Sequence, residues 1–221
     1  MPLIARTRIA IGCGYGGQHS MDPIALYALF PGWRIVYPSD AFDYIGLFNS
    51  AMVSHDPVLI VEHHSLYNQK SLAPKGNLDY LISLGKARVV SQGDKVTLVT
   101  YGAMVARCVA VREQLAGQGL SAEVIDLRTV DLPGIDYETL RRSIEKTGMA
   151  VVVEEAPKSQ SIGATLAAEI MTRLFDHLDG PVARVCSKDV PTPVSRVLEE
   201  AAVIGIYEIV SGASAAARRA S

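Results

Sequence analysis

Cysteine is scarce, neither sign of charge dominates, and long apolar runs are missing. The three cysteines among 221 residues, Cys13, Cys108 and Cys186, stand far apart with no CxxC pair, which argues against a disulfide framework or a zinc knuckle. A reducing, cytoplasmic setting is the expectation. Lys and Arg number 21 against 23 Asp and Glu, so no basic surplus points to nucleic acid. No apolar run reaches the ~18 residues of a membrane helix, and no signal-peptide core opens the chain, so no membrane partner is expected. The small-residue ending "SGASAAARRAS", with Arg218 and Arg219, reads as a frayed, solvated tail.

What is present is material for a core: 49% of the residues are hydrophobic, which excludes a disordered or fibrous chain. Strands alternate with helices. Arg8 to Ile11 reads as a strand entering a glycine stretch, and "DPIALYALF" (22–30) as a helix with Asp22 at its cap and Pro23 in its first turn. "RIVYP" follows as a strand. Ser39 or Asp40 then caps a helix to about Val53, with Asp43 in the capping-box position, and "PVLIV" (57–61) reads as a strand buried on both faces. Residues 68–86, with Pro74 and two glycines, form a connection. Beyond it, strands are expected at 95–101, 122–127, 149–153 and 182–186, with helices at 103–116, 136–146 and 162–178. The fold class is therefore α/β, with a mostly parallel sheet and right-handed crossovers. The first part is thin, with about three strands and two helices, so it either leans on a partner or belongs to a wider sheet.

"GCGYGGQHS" (12–20) offers backbone amides that could approach an anion, but it has neither a P-loop Lys nor a dinucleotide fingerprint. Its other readings are a loop carrying His19 into a site, and a plain flexible connection. His19, just ahead of a helix, is the leading titratable candidate, with Gln18 and Ser20 beside it. His63 and His64 end a strand and so face opposite ways, which disfavours one shared metal ion. Asp126, Arg128, Glu154 and Glu155 also lie at strand ends, where structural ion pairs with Lys158 or Arg184 explain them as well as catalysis does. Cys186 reads as a buried small residue, and "KDVPTPVSRVLEE" as a packing segment.

Taken together, "GGQHS" with "LFPGWRIVYPS", "HDPVLIVEHHSLY", "LGKARVVSQGDKVTLVTYG" and "VVVEEAPKSQSIGATLAAEI" resemble the beta subunit of thiamine-diphosphate-dependent 2-oxo acid dehydrogenases, of pyruvate, branched-chain or acetoin type. The resemblance runs from residue 3 to about residue 210. It implies the later part of a transketolase-like, pyrimidine-binding-type domain at 1–72, a connecting segment at 73–88 and a transketolase C-terminal-type domain at 89–221. It implies an oxidoreductase component in which an alpha subunit holds the cofactor's diphosphate and magnesium while the beta subunit covers its aminopyrimidine, and the cofactor carries the carbanion chemistry. His19 matches the family's histidine at the channel entered by the lipoyl arm of the acyltransferase, with a part in proton transfer. A potassium site is implied at the Leu3, Ala51 and Met52 carbonyls and the Ser54 and Asp56 side chains, with Ser54 replacing the family's aspartate. The family's subunit extends further before the point matching Met1 and carries there the glutamate that activates the cofactor. The implied partners are therefore the alpha subunit, the acyltransferase, a possible separate N-terminal chain, and a second copy joined through the C-terminal domain. A non-catalytic assembly protein and a transketolase-like fragment are the competing readings.

Overall fold

The computed structural model describes residues 1–71 and 74–220. The expected boundary between 72 and 73 lies outside the described residues. A first, all-parallel sheet contains β1 (Leu3–Ile9), β2 (Arg34–Val36) and β3 (Pro57–His63), in the order β1-β3-β2. Strand β3 is central, and its run Val58 to Val61 is buried as an uninterrupted apolar strand must be. Strand β1 begins well before Arg8, because an edge strand needs only one buried face and leaves Arg6 and Arg8 exposed.

The helices of this part depart from expectation at their ends. The glycine stretch closes into a single turn, α1 (Gly16–His19), and α2 (Ile24–Ala28) is shorter than 22–30. Asp22 lies one position outside the cap, which Pro23 occupies, and its Oδ1 accepts the Ile24 N–H at 2.9 Å. Helix α3 (Ala41–Met52) is capped by Asp40, which accepts the Asp43 N–H at 2.8 Å. Asp43 leaves the capping box incomplete, since its carboxylate pairs instead with Arg128 at 2.6 Å and Arg88 at 3.1 Å. The connection after β3 is docked on α3: Ile82 donates to the Gly46 carbonyl at 3.1 Å. A Cβ at Gly46 would sit 2.5 Å from the Ile82 side chain, so only glycine admits this approach.

The second sheet holds β4 (Arg88–Ser91), β5 (Val96–Thr100), β6 (Ala122–Asp126), β7 (Ala150–Pro157) and β8 (Ala183–Ser187), in the order β4-β6-β5-β7-β8. All pairs are parallel except β4 with β6. The antiparallel edge β4 has no strong apolar pattern and was not expected. The predicted helix at 103–116 breaks at Val111 into α4 (Met104–Ala110) and α5 (Arg112–Gly117). Helix α6 (Tyr137–Thr147) ends on Gly148 in the left-handed conformation. Helix α7 (Ile162–Leu174) gives way to a 3-10 turn at Phe175–His177.

The chain end is not frayed. After α8 (Arg196–Ala202) it forms α9 (Ile206–Ala220), which buries Ile209, Ala213 and Ala216. Gly212 rests on Val185 of β8, where a Cβ would come within 2.3 Å. Arg196–Arg219 together are long and apolar enough to cross a membrane by length and composition, contrary to the expectation from single apolar runs. Val203 to Gly205 interrupt that stretch, and the apolar face of α9 packs into the core.

The two sheets share one apolar cluster, in which Ile9, Ile35, Tyr37, Leu59 and Val61 meet Val99, Ile125, Leu127, Val130 and Leu166. Main-chain bonds join them too. Tyr37 N–H donates to the Arg128 carbonyl and Val130 N–H to the Ile35 carbonyl, both at 2.8 Å, so residues 128–131 close the outer edge of β2. Among the described residues β1 pairs only with β3.

The packing of α9 is measurable. Ile209→Ala should cost about 2–5 kcal/mol in urea unfolding, whereas Tyr207→Ala, at a position 79% exposed, should stay within about 0.5 kcal/mol. Equal, small effects at both positions would mean that the helix does not dock.

Candidate active site

The loop after β1 is closed at its base. Ala10 N–H donates to the His19 carbonyl at 3.0 Å, and Ser20 Oγ donates to the Ala10 carbonyl at 3.2 Å. Ser20 is buried while Gln18 and His19 are exposed, so Ser20 anchors the loop and His19 stands on its outer rim. Along the loop, Gly12, Gly14 and Gly16 all take positive φ, at 85°, 74° and 66°. Their amides do meet an anion, but an internal one: Glu199 of α8 accepts Gly12 N–H at Oε1 and Gly14 N–H at Oε2, each at 2.8 Å. The segment "KDVPTPVSRVLEE" thus does more than pack.

Tyr15, which sequence reasoning passed over, connects the histidines. Its ring lies edge-on to His19 at 6.1 Å between centroids and to His64 at 5.8 Å, with the Arg8 guanidinium 5.8 Å from its centre. His64 in turn meets Tyr67 at 5.7 Å. Tyr67 donates to Glu62 Oε2 at 2.5 Å, while Tyr44 and Arg6 donate to Glu62 Oε1 at 2.9 and 2.6 Å. Burial works to raise the Glu62 pKa, but the hydrogen bonds from Arg6, Tyr67 and Tyr44 outweigh it and hold the carboxyl below its ordinary value. Burial and the Glu62 contact push the Tyr44 and Tyr67 hydroxyls up to about 12.

His63 and His64 part company because β3 ends at His63 and the chain turns into a 3-10 turn at His64–Leu66. His63 is buried, with Nε2 3.2 Å from Glu155 Oε2. Its Nδ1 accepts the Ser65 N–H at 3.2 Å and lies 2.7 Å from Ser65 Oγ, while His63 Nε2 and Glu155 Oε2 are close but not hydrogen-bonded. His63 lines a cavity of about 360 Å³ with Arg6, Ser39, Tyr44, Glu62 and Tyr67. Glu155 lines a second, of about 380 Å³, with Gly17, Ser20, Asp22, Gln160 and Lys188. The His63 and Glu155 pair therefore stands between two cavities. His19 lines neither of them, and its neighbours Gly17 and Ser20 line the second.

The other candidates are structural. Glu154 is fully buried, accepting from Arg184, Ser161, Tyr101 and the Gly163 N–H. Asp126 accepts from Ser39 at 2.6 Å, and burial lifts its pKa to about 7. Cys186 is half-buried, and burial raises its thiol pKa. Leu3, Ala51, Met52, Ser54 and Asp56 lie around the turn from α3 into β3, where Leu3 is in register with Pro57. The Ala51 carbonyl already accepts the Val53 and Ser54 N–H groups, and the Ser54 hydroxyl bonds both ways to the Asp56 main chain. A potassium ion there would compete with those bonds, with Asp56 as its one charged donor, so the residues present do not form a ready cage. Among the described residues no group of three or more His, Cys, Asp or Glu is placed to hold a metal ion.

The family profile for the transketolase C-terminal domain matches residues 85–209, more than half of the chain. The chain belongs to this family. The profile for the transketolase pyrimidine binding domain matches residues 1–70. The chain is similar to the pyruvate dehydrogenase E1 component subunit beta of Dictyostelium discoideum, with 40% identity over 92% of this chain and 57% of the relative. It is also similar to that of Porphyra purpurea, at 37% over 95% and 62%. The acetoin:2,6-dichlorophenolindophenol oxidoreductase subunit beta of Cupriavidus necator is 34% identical over 96% of this chain and 62% of its own length. The chain thus spans roughly three fifths of these relatives. In fold it matches a split-gene transketolase, described as an inactive beta4 tetramer, with a TM-score of 0.78, 23% identity, and coverage of 99% of this chain and 67% of that one. A transketolase mutant from Pichia stipitis gives a TM-score of 0.69 at 18% identity, covering 99% and 30%.

Asp22 supplies a pH test of this region. Burial raises its pKa to about 7, the Ile24 N–H lowers it less, and Glu155 and Glu154 raise it further; its Oδ2 is shielded and has no partner. The folded state therefore holds this proton more tightly than the unfolded chain. Its contribution is greatest at acidic pH and is lost as pH rises from about 4 through about 7. Urea unfolding of Asp22→Asn between pH 4.5 and 8 should show a weaker decline with pH than the parent, and parallel curves would count against this assignment.

Proposed function

We propose that the chain supplies the end of the pyrimidine-binding domain and the C-terminal domain of the beta component of a thiamine-diphosphate-dependent 2-oxo acid dehydrogenase. The observation that carries this reading is the 34–40% identity to pyruvate and acetoin dehydrogenase beta subunits, running through both halves of the chain. In this reading an alpha subunit completes the site, a further polypeptide segment extends the first sheet, and a lipoyl-bearing acyltransferase takes the acyl group. A second copy associates through the C-terminal domain.

Thiamine diphosphate, when bound, supplies the carbanion chemistry of decarboxylation. The glycine loop of this chain does not hold the diphosphate, because Glu199 already fills its amides. That suits a division of labour in which the alpha subunit binds diphosphate and magnesium. Potassium has no step in the reading. The contribution of this chain is His19: exposed on the loop rim, its imidazole can exchange a proton with an incoming lipoyl arm, while the buried loop base keeps the backbone in place.

Reconstitution with candidate alpha and N-terminal chains should give 2-oxo acid decarboxylation dependent on thiamine diphosphate, and no gain over the separate components would sink the catalytic reading. In an active complex, His19→Ala should lower transfer to lipoamide by about a hundredfold or more while leaving turnover with an artificial electron acceptor within about threefold. Equal losses in both assays would place His19 in the decarboxylation step.

A further inference from the structure

Glu199 is 1% exposed, yet its carboxylate meets two backbone N–H groups rather than a cation. Those amides belong to Gly12 and Gly14, whose positive φ angles turn two alternate N–H groups toward one point while the Cys13 N–H between them bonds the Ala10 carbonyl, and concavities of main-chain N–H groups elsewhere bind phosphate and other anions. A buried carboxylate is costly unless hydrogen-bonded, and bonds to an ionised acceptor are the stronger kind. The segment ahead of Glu199 fits the same loop. A Cβ at Gly14 would lie 3.3 Å from the Val194 carbonyl oxygen, and one at Gly16 would lie 2.8 Å from Val194 Cγ2. Tyr15 sits between those two glycines, and its ring is the one that touches both His19 and His64.

We propose that Glu199 is a positioning residue for His19: its carboxylate fills the nest of Gly12 and Gly14 and so holds the loop tip that sets Tyr15 against the His19 ring. The base of the loop is tied separately, through Ala10 to His19 and Ser20. Loss of the carboxylate therefore loosens the tip and the ring contact without unthreading the loop. The importance of this for acyl transfer rests on the function proposed above, whereas the filling of the nest does not.

The test uses the full chain alone. Glu199→Gln keeps the volume and one acceptor, Glu199→Ala empties the nest, and Glu200→Gln, on the exposed side of α8, is the control. In Glu199→Ala, hydrogen exchange at the Gly12 and Gly14 amides should rise about tenfold or more, as expected for loss of a charge-assisted hydrogen bond. Glu199→Gln should show a smaller rise. The imidazole resonances of His19 should shift or broaden in Glu199→Ala, and added acetate should restore both signals by occupying the vacated amides. Glu200→Gln should change neither. Unchanged exchange in both Glu199 variants, or a His19 resonance that stays in place while the glycine amides open, would overturn the proposal. If Glu199→Ala fails to fold, Glu199→Gln and its exchange pattern decide. These readouts need neither cofactor nor partner, so an inactive reconstituted complex would bear on the catalytic reading alone.

Discussion

Carboxylates that cross from one sheet to the other hold this protein in a single arrangement. Asp43 reaches Arg128, Asp126 reaches Ser39, and Asp131 accepts from both the Ile35 N–H and Arg34. Glu155 accepts from Tyr37 and faces His63, and Glu199 binds the glycine loop. The apolar cluster beneath them supplies most of the stabilisation, but apolar burial is non-directional and would tolerate small slips. The carboxylate contacts are directional, and removing one partner of a buried ion pair such as Asp43 with Arg128 typically costs ~3–5 kcal/mol. The two halves are therefore joined both by apolar packing and by directional polar contacts.

That boundary also concentrates the titratable groups. The strand ends that carry His63, Asp126 and Glu154–Glu155 all open on the same seam, as open α/β sheets place their ligands at strand carboxyl ends. Two cavities flank the seam, with the His63 and Glu155 pair between them. Asp22 and Asp126 are both lifted to about 7 by burial, so the seam holds groups that change charge near neutrality.

Much of this was readable from local pattern. The buried run of β3, a cap for α3 at Ser39 or Asp40 and the strands β5 and β6 each follow from a few adjacent residues. The divergence of His63 and His64 was also expected, although its cause is the 3-10 turn that starts at His64 rather than strand alternation. What escaped was set by distant partners. The tail looked like a frayed end because Ala and Gly dominate it, yet Gly212 is what lets α9 approach Val185. Strand β4 is short and half-exposed, and its partner β6 defines it. The glycine loop carried an anion-binding signal, and the anion its Gly14 amide meets is the Glu199 carboxylate, 185 residues away. Tyr15 was hidden for a similar reason, since its meeting with His64 joins two loops remote in sequence.

The side of β1 left unpaired among the described residues bears on what can join it. Its outward N–H and C=O groups form a ready template for another extended segment, and Leu3, at 42% exposed, adds an apolar contact. Arg6 on the same strand is paired with Glu62, and Arg8 lies over the Tyr15 ring. With the Arg6 charge met by Glu62, main-chain hydrogen bonding is what that edge has to offer an incoming segment.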